Sequence, residues 1–472
     1  MDANDLAFTS ALEQARLIRT KVISPLELTT LYLQRIERLN PKLGSYFTVM
    51  GERAIADATT KTEQLAHGSS EVADLPPFFG VPISIKDLKS VKGVPCSYGL
   101  RAAKKRIAEA DDGIVHQIRQ AGFVILGKTA TSELGSFPYT EPSGFPPARN
   151  PWNLDYTPGG SSGGAASALA AGLCPIAHGS DGGGSLRGPA FCCGLVGLKP
   201  SRGRVSHAPT GDRISGLAIE GALTRTVADA AAMLDVISGY VTGDPYWLPD
   251  PSESFWTATQ RPPQPLRIAM TTAVSPVGQA ETVCREPVEG MATLLEQLGH
   301  SVEVASPNFE GLVDPFVTVW RSVLDESGVP FIFLSRFNRW LQRKARFTSS
   351  GQYLKAVTEL QRRSRQIVAF FDQYDVLLMP TYLHPTIRIG EWARLGPAKT
   401  LDRIIHWVAP CPPFNATGQP AISIPAGFTP GGLPLGVQLV GKPAAEATLL
   451  SLAAQIEAAK PWAQHRPAIG IL

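Results

Sequence analysis

Two serines and one lysine lie in sequence contexts that could support nucleophilic catalysis. Ser161 and Ser185 are each surrounded by glycines, and Lys86 follows the short apolar segment 81–85. A serine hydroxyl becomes a useful nucleophile only when a base removes its proton. A lysine can be that base when burial lowers the pKa of its ammonium group. The backbone N–H groups of residues 182–184 could then stabilise the oxyanion of a tetrahedral intermediate.

The residues alone leave other interpretations open. The glycines could bind a phosphate, but the nearest lysine, Lys199, lacks the context of a P-loop, and residues 182–188 match a dinucleotide-binding pattern only loosely. Residues 160–164 fit the Gly-x-Ser-x-Gly elbow of an α/β-hydrolase, with Ser162 as nucleophile. Polar residues stand where that elbow requires a strand. Lys86, in turn, could be an ordinary surface lysine with its amine in solvent.

The N-terminal part of the chain, residues 1–75, is predicted to be helical. Ser24 is followed by proline and then by Glu27, which together predict a capped helix start. An apolar stripe continues to Leu39, and Asn40-Pro41 is expected to end the helix.

Short apolar runs in the rest of the chain predict the strands of a sheet. Helical segments separate these runs, which favours a parallel or mixed sheet covered by helices. The predicted strands are 81–85, 123–126, 266–270, 301–304, 375–379, 421–425 and 436–440. The predicted helices are 112–121, 166–172, 224–237, 281–298, the long section 313–375 and 444–459. The segments 129–152 and 244–265 are predicted to be long loops.

Composition argues against several classes of protein. A net charge of +3 over 472 residues gives no electrostatic reason to expect binding to nucleic acid or to an anionic membrane. The basic residues within 313–375 are interpreted as a solvated helix face. Six cysteines without metal-ligand spacing predict small buried thiols in a reduced, cytoplasmic protein. No signal peptide and no membrane-spanning segment is expected.

Several motifs together resemble the amidase signature family. The likeness extends from about residue 24 to about residue 457, and separate motifs contain Lys86, Ser161 and Ser185. The matching segments are 80–87, 149–152, 159–164, 179–187, 194–200, 418–421 and 432–441.

This resemblance implies a fold and its organisation. We expect a single α/β domain over residues 1–472, with a large mixed β-sheet covered by helices on both sides. The catalytic motifs would lie in 76–240, after the helical part. The segment 241–400 would form a surface excursion and the helices of the substrate pocket. The segment 401–472 would return to the sheet.

The resemblance also implies roles for individual residues. Ser185 matches the nucleophile that becomes acylated, Ser161 matches a bridging serine preceded by a cis peptide bond, and Lys86 matches the base. No cofactor and no metal ion is expected. The expected oxyanion donors are the backbone N–H groups of Gly182, Gly183, Gly184 and Ser185. The expected supporting residues are Ser162, Asp181 and Arg187, and the expected pocket residues are Gly135, Phe137 and Tyr139.

The substrate implied by the resemblance is a small-molecule amide. Residues 415–420 differ from the pattern typical of the glutamine-hydrolysing subunit of a tRNA-dependent amidotransferase, which is the alternative function. They are more similar to stand-alone amidases, especially hydrolases of cyclic amide oligomers. We expect activity on aryl or aliphatic amides or nylon-type oligomers, with some ester or carbamate hydrolysis. The pocket walls are predicted in 131–145 and 313–348. The protein is expected to be a monomer or homodimer without a nucleic-acid or membrane partner.

Overall fold

An eleven-stranded mixed β-sheet forms the centre of the protein. The computed structural model describes residues 2–67, 75–212 and 214–471. The described residues do not include Met1, residues 68–74, Arg213 or Leu472. The helical prediction for 1–75 therefore lies partly outside them. Within the described ranges the strands are β1 Tyr46–Val49, β2 Pro82–Lys86, β3 Val124–Thr129, β4 Ala177–Asp181, β5 Val196–Lys199, β6 Ile219–Thr224, β7 Arg267–Met270, β8 Ala273–Val274, β9 Gly278–Gln279, β10 Ser301–Val304, β11 Val376–Pro380, β12 Ala421–Phe428 and β13 Pro434–Gly441.

The strand order of the large sheet is β1-β3-β2-β4-β6-β5-β12-β13-β11-β7-β10, and β8 pairs with β9 separately. Strand β2 is parallel to both β3 and β4, and β7 is parallel to both β10 and β11. The strands from β4 to β11 in the sheet order pair antiparallel. The predicted fold class, one α/β domain with a large mixed sheet, is confirmed.

Helices cover the sheet on both sides, as predicted. Those that contact several of its strands include α6, α7, α8, α10 and α16 of the following list. In the described part of the chain the α-helices are α1 Ala3–Phe8, α2 Ala11–Arg19, α3 Pro25–Leu43, α4 Gly51–His67, α5 Gly113–Gln120, α6 Gly163–Ala170, α7 Arg187–Cys193, α8 Val227–Ile237, α9 Phe255–Ala258, α10 Thr282–Gln297, α11 Val313–Glu326, α12 Arg336–Arg346, α13 Ser350–Ala369, α14 Pro397–Val408, α15 Pro412–Ala416 and α16 Glu446–Ala459.

Three local expectations were wrong. Helix α3 continues through Pro41 and ends at Leu43, and the left-handed backbone of the next residue, Gly44, lets its N–H donate to the carbonyl of Asn40. The N-terminal part is not wholly helical, because it supplies β1. The description of 241–400 as a surface excursion was too narrow, because the strands predicted at 266–270, 301–304 and 375–379 form β7, β10 and β11 of the main sheet.

Strands β4 and β6 were not predicted. Strand β4 has the sequence Ala-His-Gly-Ser-Asp, which contains none of the β-branched residues that favour an extended chain. Its conformation comes from its neighbours, since it pairs with β6 over five residues and touches β2 on its other side. Tertiary pairing therefore decides the structure of this segment.

The first glycine cluster allows close packing of helix α6. The helix begins at Gly163, inside the glycine cluster and before the predicted start at 166. A Cβ atom on Gly164 would lie 2.3 Å from the backbone nitrogen of Ala130, just after β3. In α7, a Cβ atom on Gly188 would lie 1.7 Å from the hydroxyl of the fully buried Tyr382. These two positions require glycine for reasons of space.

Replacing Gly188 with alanine should destabilise the fold by about 2–3 kcal/mol, because the new methyl group would overlap Tyr382. The free energy of unfolding in urea is the measurement. Gly290→Ala is the control, because a Cβ atom there meets no atom within 4 Å, in helix α10. This control should stabilise the protein by up to about 1 kcal/mol. Equal effects of the two substitutions would contradict the packing argument.

Candidate functional site

Lys86 is the last residue of β2, and its side chain is completely buried. Its amine donates hydrogen bonds to Ser161 Oγ at 2.8 Å and to Ser180 Oγ at 3.0 Å. The interpretation of Lys86 as a surface lysine is therefore wrong. Strand β2 lies between β3 and β4, so the end of the strand is enclosed and the amine can reach only groups inside the protein.

Ser161 and Ser162 lead into helix α6 and have different partners. The peptide bond between Gly160 and Ser161 is cis, as the resemblance implied. Ser161 accepts the hydrogen bond from Lys86, whereas Ser162 Oγ donates to the carbonyl of Ser180 at 3.3 Å. In the part of the chain that the structure describes, no strand lies directly before Ser162. The α/β-hydrolase elbow is therefore not formed.

Ser185 lies in the turn between β4 and α7. It lines a cavity of about 640 Å³, and Ser161 and Ser180 line the same cavity. The structure thus brings together the two serines and, through its bonds to Ser161 and Ser180, the lysine. Within the described residues the Ser185 hydroxyl forms no hydrogen bond. It is therefore free to turn within the cavity.

The four predicted oxyanion donors are not all available. The N–H of Gly184 donates to Asp181 Oδ1 at 2.7 Å. The N–H groups of Gly182, Gly183 and Ser185 have no acceptor among the described residues, and all three residues line the cavity. A Cβ atom on Gly182 or Gly183 would make only ordinary contacts, at 3.9 and 3.5 Å. No neighbouring atom therefore crowds Gly182 or Gly183 where they line the cavity.

Asp181 and Arg187 form a fully buried ion pair at 2.9 Å. The Asp181 carboxylate also accepts from the N–H of Leu186 at 3.1 Å, so it fixes the turn that carries Ser185. Burial raises the pKa of Asp181, but the Arg187 guanidinium outweighs burial and holds it well below its ordinary value. Arg187 also donates to the carbonyl of Cys411 and to the side-chain oxygens of Asn415 and Gln438.

Burial also changes the proton affinity of two lysines. It lowers the pKa of Lys86 to about 7, while the carboxylates of Glu220 and Asp181 act to raise it. It lowers the pKa of Lys199 to about 7 as well, but the Lys199 amine donates to the Pro200 carbonyl and does not line the cavity. Contact with Ser161, more than the pKa, distinguishes Lys86 as a candidate base.

Of the predicted pocket residues, Gly135 and Phe137 line the cavity, but Tyr139 does not. Tyr139 lines a separate cavity of about 220 Å³. The Phe137 ring packs 5.1 Å from the Tyr139 ring and 5.0 Å from the Phe337 ring. Because Phe137 lines both cavities, it forms a wall between Tyr139 and the serines.

The apolar wall of the larger cavity comes mainly from α11 and α14. Helix α11 lies within the predicted segment 313–348, and Phe316, Val317 and Trp320 line the cavity. Helix α14 was not predicted, although its cavity-lining residues follow the spacing of an apolar helical stripe. That spacing is the sequence signal that could have identified it. The residues are Leu401, Ile404, Ile405 and Val408.

The cysteines, the possible metal ligands and the helix lengths of the described residues were also predicted from the sequence. The six cysteines are buried free thiols, as predicted. Among residues 2–67, 75–212 and 214–471, no three or more His, Cys, Asp or Glu side chains are placed to hold a metal ion. No helix within those ranges combines the length and the apolar character needed to cross a bilayer.

Comparison with known proteins identifies similar chains. A family model described as Amidase matches residues 27–450. A protein of Synechocystis sp. named as a candidate amidase is 51% identical over 453 residues, covering 96% of this chain and 89% of that protein. A solved 6-aminohexanoate cyclic dimer hydrolase complexed with substrate has a TM-score of 0.91 at 32% identity, covering 98% and 99% of the two chains. A bacterial aryl acylamidase of the amidase signature family has a TM-score of 0.86 at 26% identity, covering 97% of both chains.

Replacing Asp181 with asparagine should destabilise the protein by about 3–5 kcal/mol, because it leaves the buried Arg187 guanidinium without its counter-charge. Asp325→Asn is the matched control, since it breaks an ion pair with Arg346 in which both side chains are largely exposed. It should cost less than about 1 kcal/mol. Urea unfolding measures both, and similar losses would argue against a structural role for the buried pair.

Proposed function

The chain belongs to the amidase signature family, and we propose that it hydrolyses small-molecule amides by acylation of Ser185, with Ser161 passing protons between Ser185 and Lys86. Amidases of this kind cleave carbon–nitrogen bonds other than peptide bonds. The observation that carries the mechanism is the 2.8 Å hydrogen bond between Lys86 and Ser161, beside the cavity that Ser185 lines.

Acylation begins with neutral Lys86. Lys86 takes a proton from Ser161, Ser161 takes the proton of Ser185, and Ser185 Oγ forms a bond to the amide carbonyl carbon. The carbonyl electron pair moves to its oxygen. The N–H groups of Gly182, Gly183 and Ser185, which have no acceptor among the described residues, are proposed to stabilise that oxyanion.

The same relay then runs in reverse. The carbon–nitrogen bond breaks, Ser161 gives a proton to the leaving amine, and Lys86 returns a proton to Ser161. Water attacks the resulting ester as its proton passes through Ser161 to Lys86. Collapse of the second tetrahedral intermediate releases the acid and restores the Ser185 hydroxyl with a proton returned by the relay. No step needs a metal ion or a cofactor.

The relay requires the Ser185 hydroxyl to point toward Ser161. The two hydroxyls line one cavity, and no hydrogen bond to a described residue fixes the Ser185 side chain elsewhere. A serine side chain has three staggered rotamers, and catalytic hydrogen bonds often tighten only when substrate binds. We therefore propose that substrate entry turns Ser185 toward Ser161.

The apolar cavity wall supports an amide with a sizeable apolar acyl or aryl group as substrate. Helices α11 and α14 supply this wall, and the cavity volume of about 640 Å³ suits a drug-sized molecule. Similarity to a cyclic dimer hydrolase and an aryl acylamidase supports nylon-type oligomers and anilides as the first compounds to test. Esters and carbamates are proposed as secondary substrates because they present the same carbonyl to Ser185.

The alternative function, a glutamine-hydrolysing amidotransferase subunit, has less support. The amide-bearing part of glutamine is small and polar, whereas Phe316, Val317 and Trp320 give the cavity an apolar wall. A panel of anilides, aliphatic amides, cyclic oligomers, esters, carbamates and glutamine separates the two functions. Strong glutaminase activity that requires partner chains would overturn the stand-alone function.

Replacing Ser185 with alanine should abolish covalent labelling by a fluorophosphonate and lower anilide hydrolysis by about 10⁴-fold or more, because the nucleophile is lost. Mass spectrometry of the intact protein detects the label. Ser162→Ala should still be labelled, and Lys86→Ala should lose most of its turnover. Labelling that persists without Ser185 and disappears without Ser162 would show that the roles of the serines are wrongly assigned.

Replacing Val317 with phenylalanine should reduce the cavity and lower kcat/KM for an anilide with a long acyl chain by about tenfold or more. Hydrolysis of acetanilide, whose acyl group is small, should change much less. Val304→Phe is the control, since Val304 is 83% exposed on β10. Equal losses on both anilides would contradict the assignment of the acyl pocket.

A further inference from the structure

A buried carboxylate close to the lysine is not used by the proposed mechanism. Glu220 lies on β6 and is 4% exposed. Lys89 Nζ lies 2.8 Å from its Oε1 atom, and His178 Nε2 lies 3.0 Å from its Oε2 atom. His207 Nδ1 lies 3.7 Å from Oε1. Lys89, His207 and Glu220 all line the cavity that Ser161 also lines.

Ser180 connects this carboxylate with Lys86. Ser180 and Glu220 are direct partners in the antiparallel pairing of β4 with β6. The side chains of such partners project from the same face of a sheet, with Cβ atoms about 5 Å apart. From the neighbouring strand β2, Lys86 donates to Ser180 Oγ at 3.0 Å. Lys86 is therefore hydrogen-bonded to a serine whose cross-strand partner is Glu220.

We propose that Glu220 and Lys89 together set the charge of Lys86 and thereby the pH range in which the enzyme works. Glu220 is a positioning residue, because it acts through Lys86 and Ser180 and touches no reacting atom. The inference rests on the proposed role of Lys86 as the base. Burial lowers the pKa of Lys86, the Glu220 carboxylate acts to raise it, and the Lys89 ammonium acts to lower it.

Glu220 stays charged while Lys86 titrates. Burial raises the pKa of Glu220, but Lys89 and His178 outweigh burial and hold it well below its ordinary value. Burial lowers the pKa of His178, while the Glu220 carboxylate acts to raise it. His207 Nδ1 faces the same Glu220 oxygen as Lys89.

Other charges around Lys86 are held in pairs of their own. The Lys128 ammonium on β3 lies 2.6 Å from the carboxylate of Asp87, which follows β2. Asp181 on β4 is paired with Arg187 on α7. The titratable and charged groups on the elements packed around Lys86 are Asp87, Lys89, Lys128, His178, Asp181, Arg187, His207 and Glu220.

The direction of each change follows from these charges. Glu220→Gln keeps a hydrogen-bond acceptor but removes the negative charge, so the pKa of Lys86 falls and Lys86 is neutral at a lower pH. Lys89→Gln removes a positive charge that opposes protonation of Lys86, while His178 remains hydrogen-bonded to the Glu220 carboxylate, so the pKa of Lys86 rises. The reaction needs neutral Lys86. The acidic limb of the pH–rate profile therefore moves to lower pH in Glu220→Gln and to higher pH in Lys89→Gln.

The experiment measures the rate of Ser185 labelling by a fluorophosphonate in the full chain across about pH 5–9. The midpoint of the acidic limb should fall by about one pH unit in Glu220→Gln and rise by about as much in Lys89→Gln. Glu446→Gln is the control, because it neutralises a buried carboxylate on α16 that does not line the cavity, and its midpoint should not move.

Midpoints that stay in place, or that move in the same direction in both variants, would overturn the inference. If Glu220→Gln fails to fold by circular dichroism, the upward shift in Lys89→Gln tests the proposal alone. Failure of the fluorophosphonate to label Ser185 in the unmodified chain would overturn the proposed function itself. The two failures are therefore distinguishable.

Discussion

The hydrogen bond between Lys86 and Ser161 inside the protein is the interaction on which the rest of the site depends. A lysine amine gives up its hydration only where the surrounding chain excludes water and provides another polar group. Strands β3 and β4 enclose the end of β2, and helix α6 holds Ser161 against it. Gly164 allows α6 to lie directly on the chain after β3. The first glycine cluster therefore allows the packing that places Ser161 against Lys86.

The sequence predicted the parts of this site that depend on local pattern. Lys86 at the end of an apolar strand, and Ser161 and Ser185 among glycines, are visible in short windows. Their proximity came from the family resemblance, because no periodicity shows which strand lies beside which. Ser180 and Glu220 were missed for the same reason: they gain a role only when β4 and β6 pair. Strand β4 itself is polar and takes its conformation from its neighbours.

The two buried carboxylates next to the site, those of Asp181 and Glu220, have different surroundings. Asp181 is enclosed by Arg187 and by backbone N–H groups, so its charge holds the Ser185 turn in one geometry. Glu220 is bound by Lys89 and faces the cavity, where His207 is also found. Asp181 therefore fixes the backbone turn that carries Ser185, whereas Glu220 lies where changes inside the cavity can reach it. The prediction that Tyr139 belongs to this cavity failed because side-chain packing around Phe137, which no local pattern reveals, divides the space in two.

The position of β12 and β13 has a consequence for how the chain is made. These strands come from the last quarter of the sequence, yet they lie between β5 and β11 in the middle of the sheet. A nascent chain that still lacks β12 and β13 cannot pair the inner edges of β5 and β11, and unpaired strand edges favour aggregation. Asn415 and Gln438, which bind Arg187, also emerge at this stage. The contacts of Arg187, which holds the turn that carries Ser185, are thus completed only after residue 438 has been synthesised.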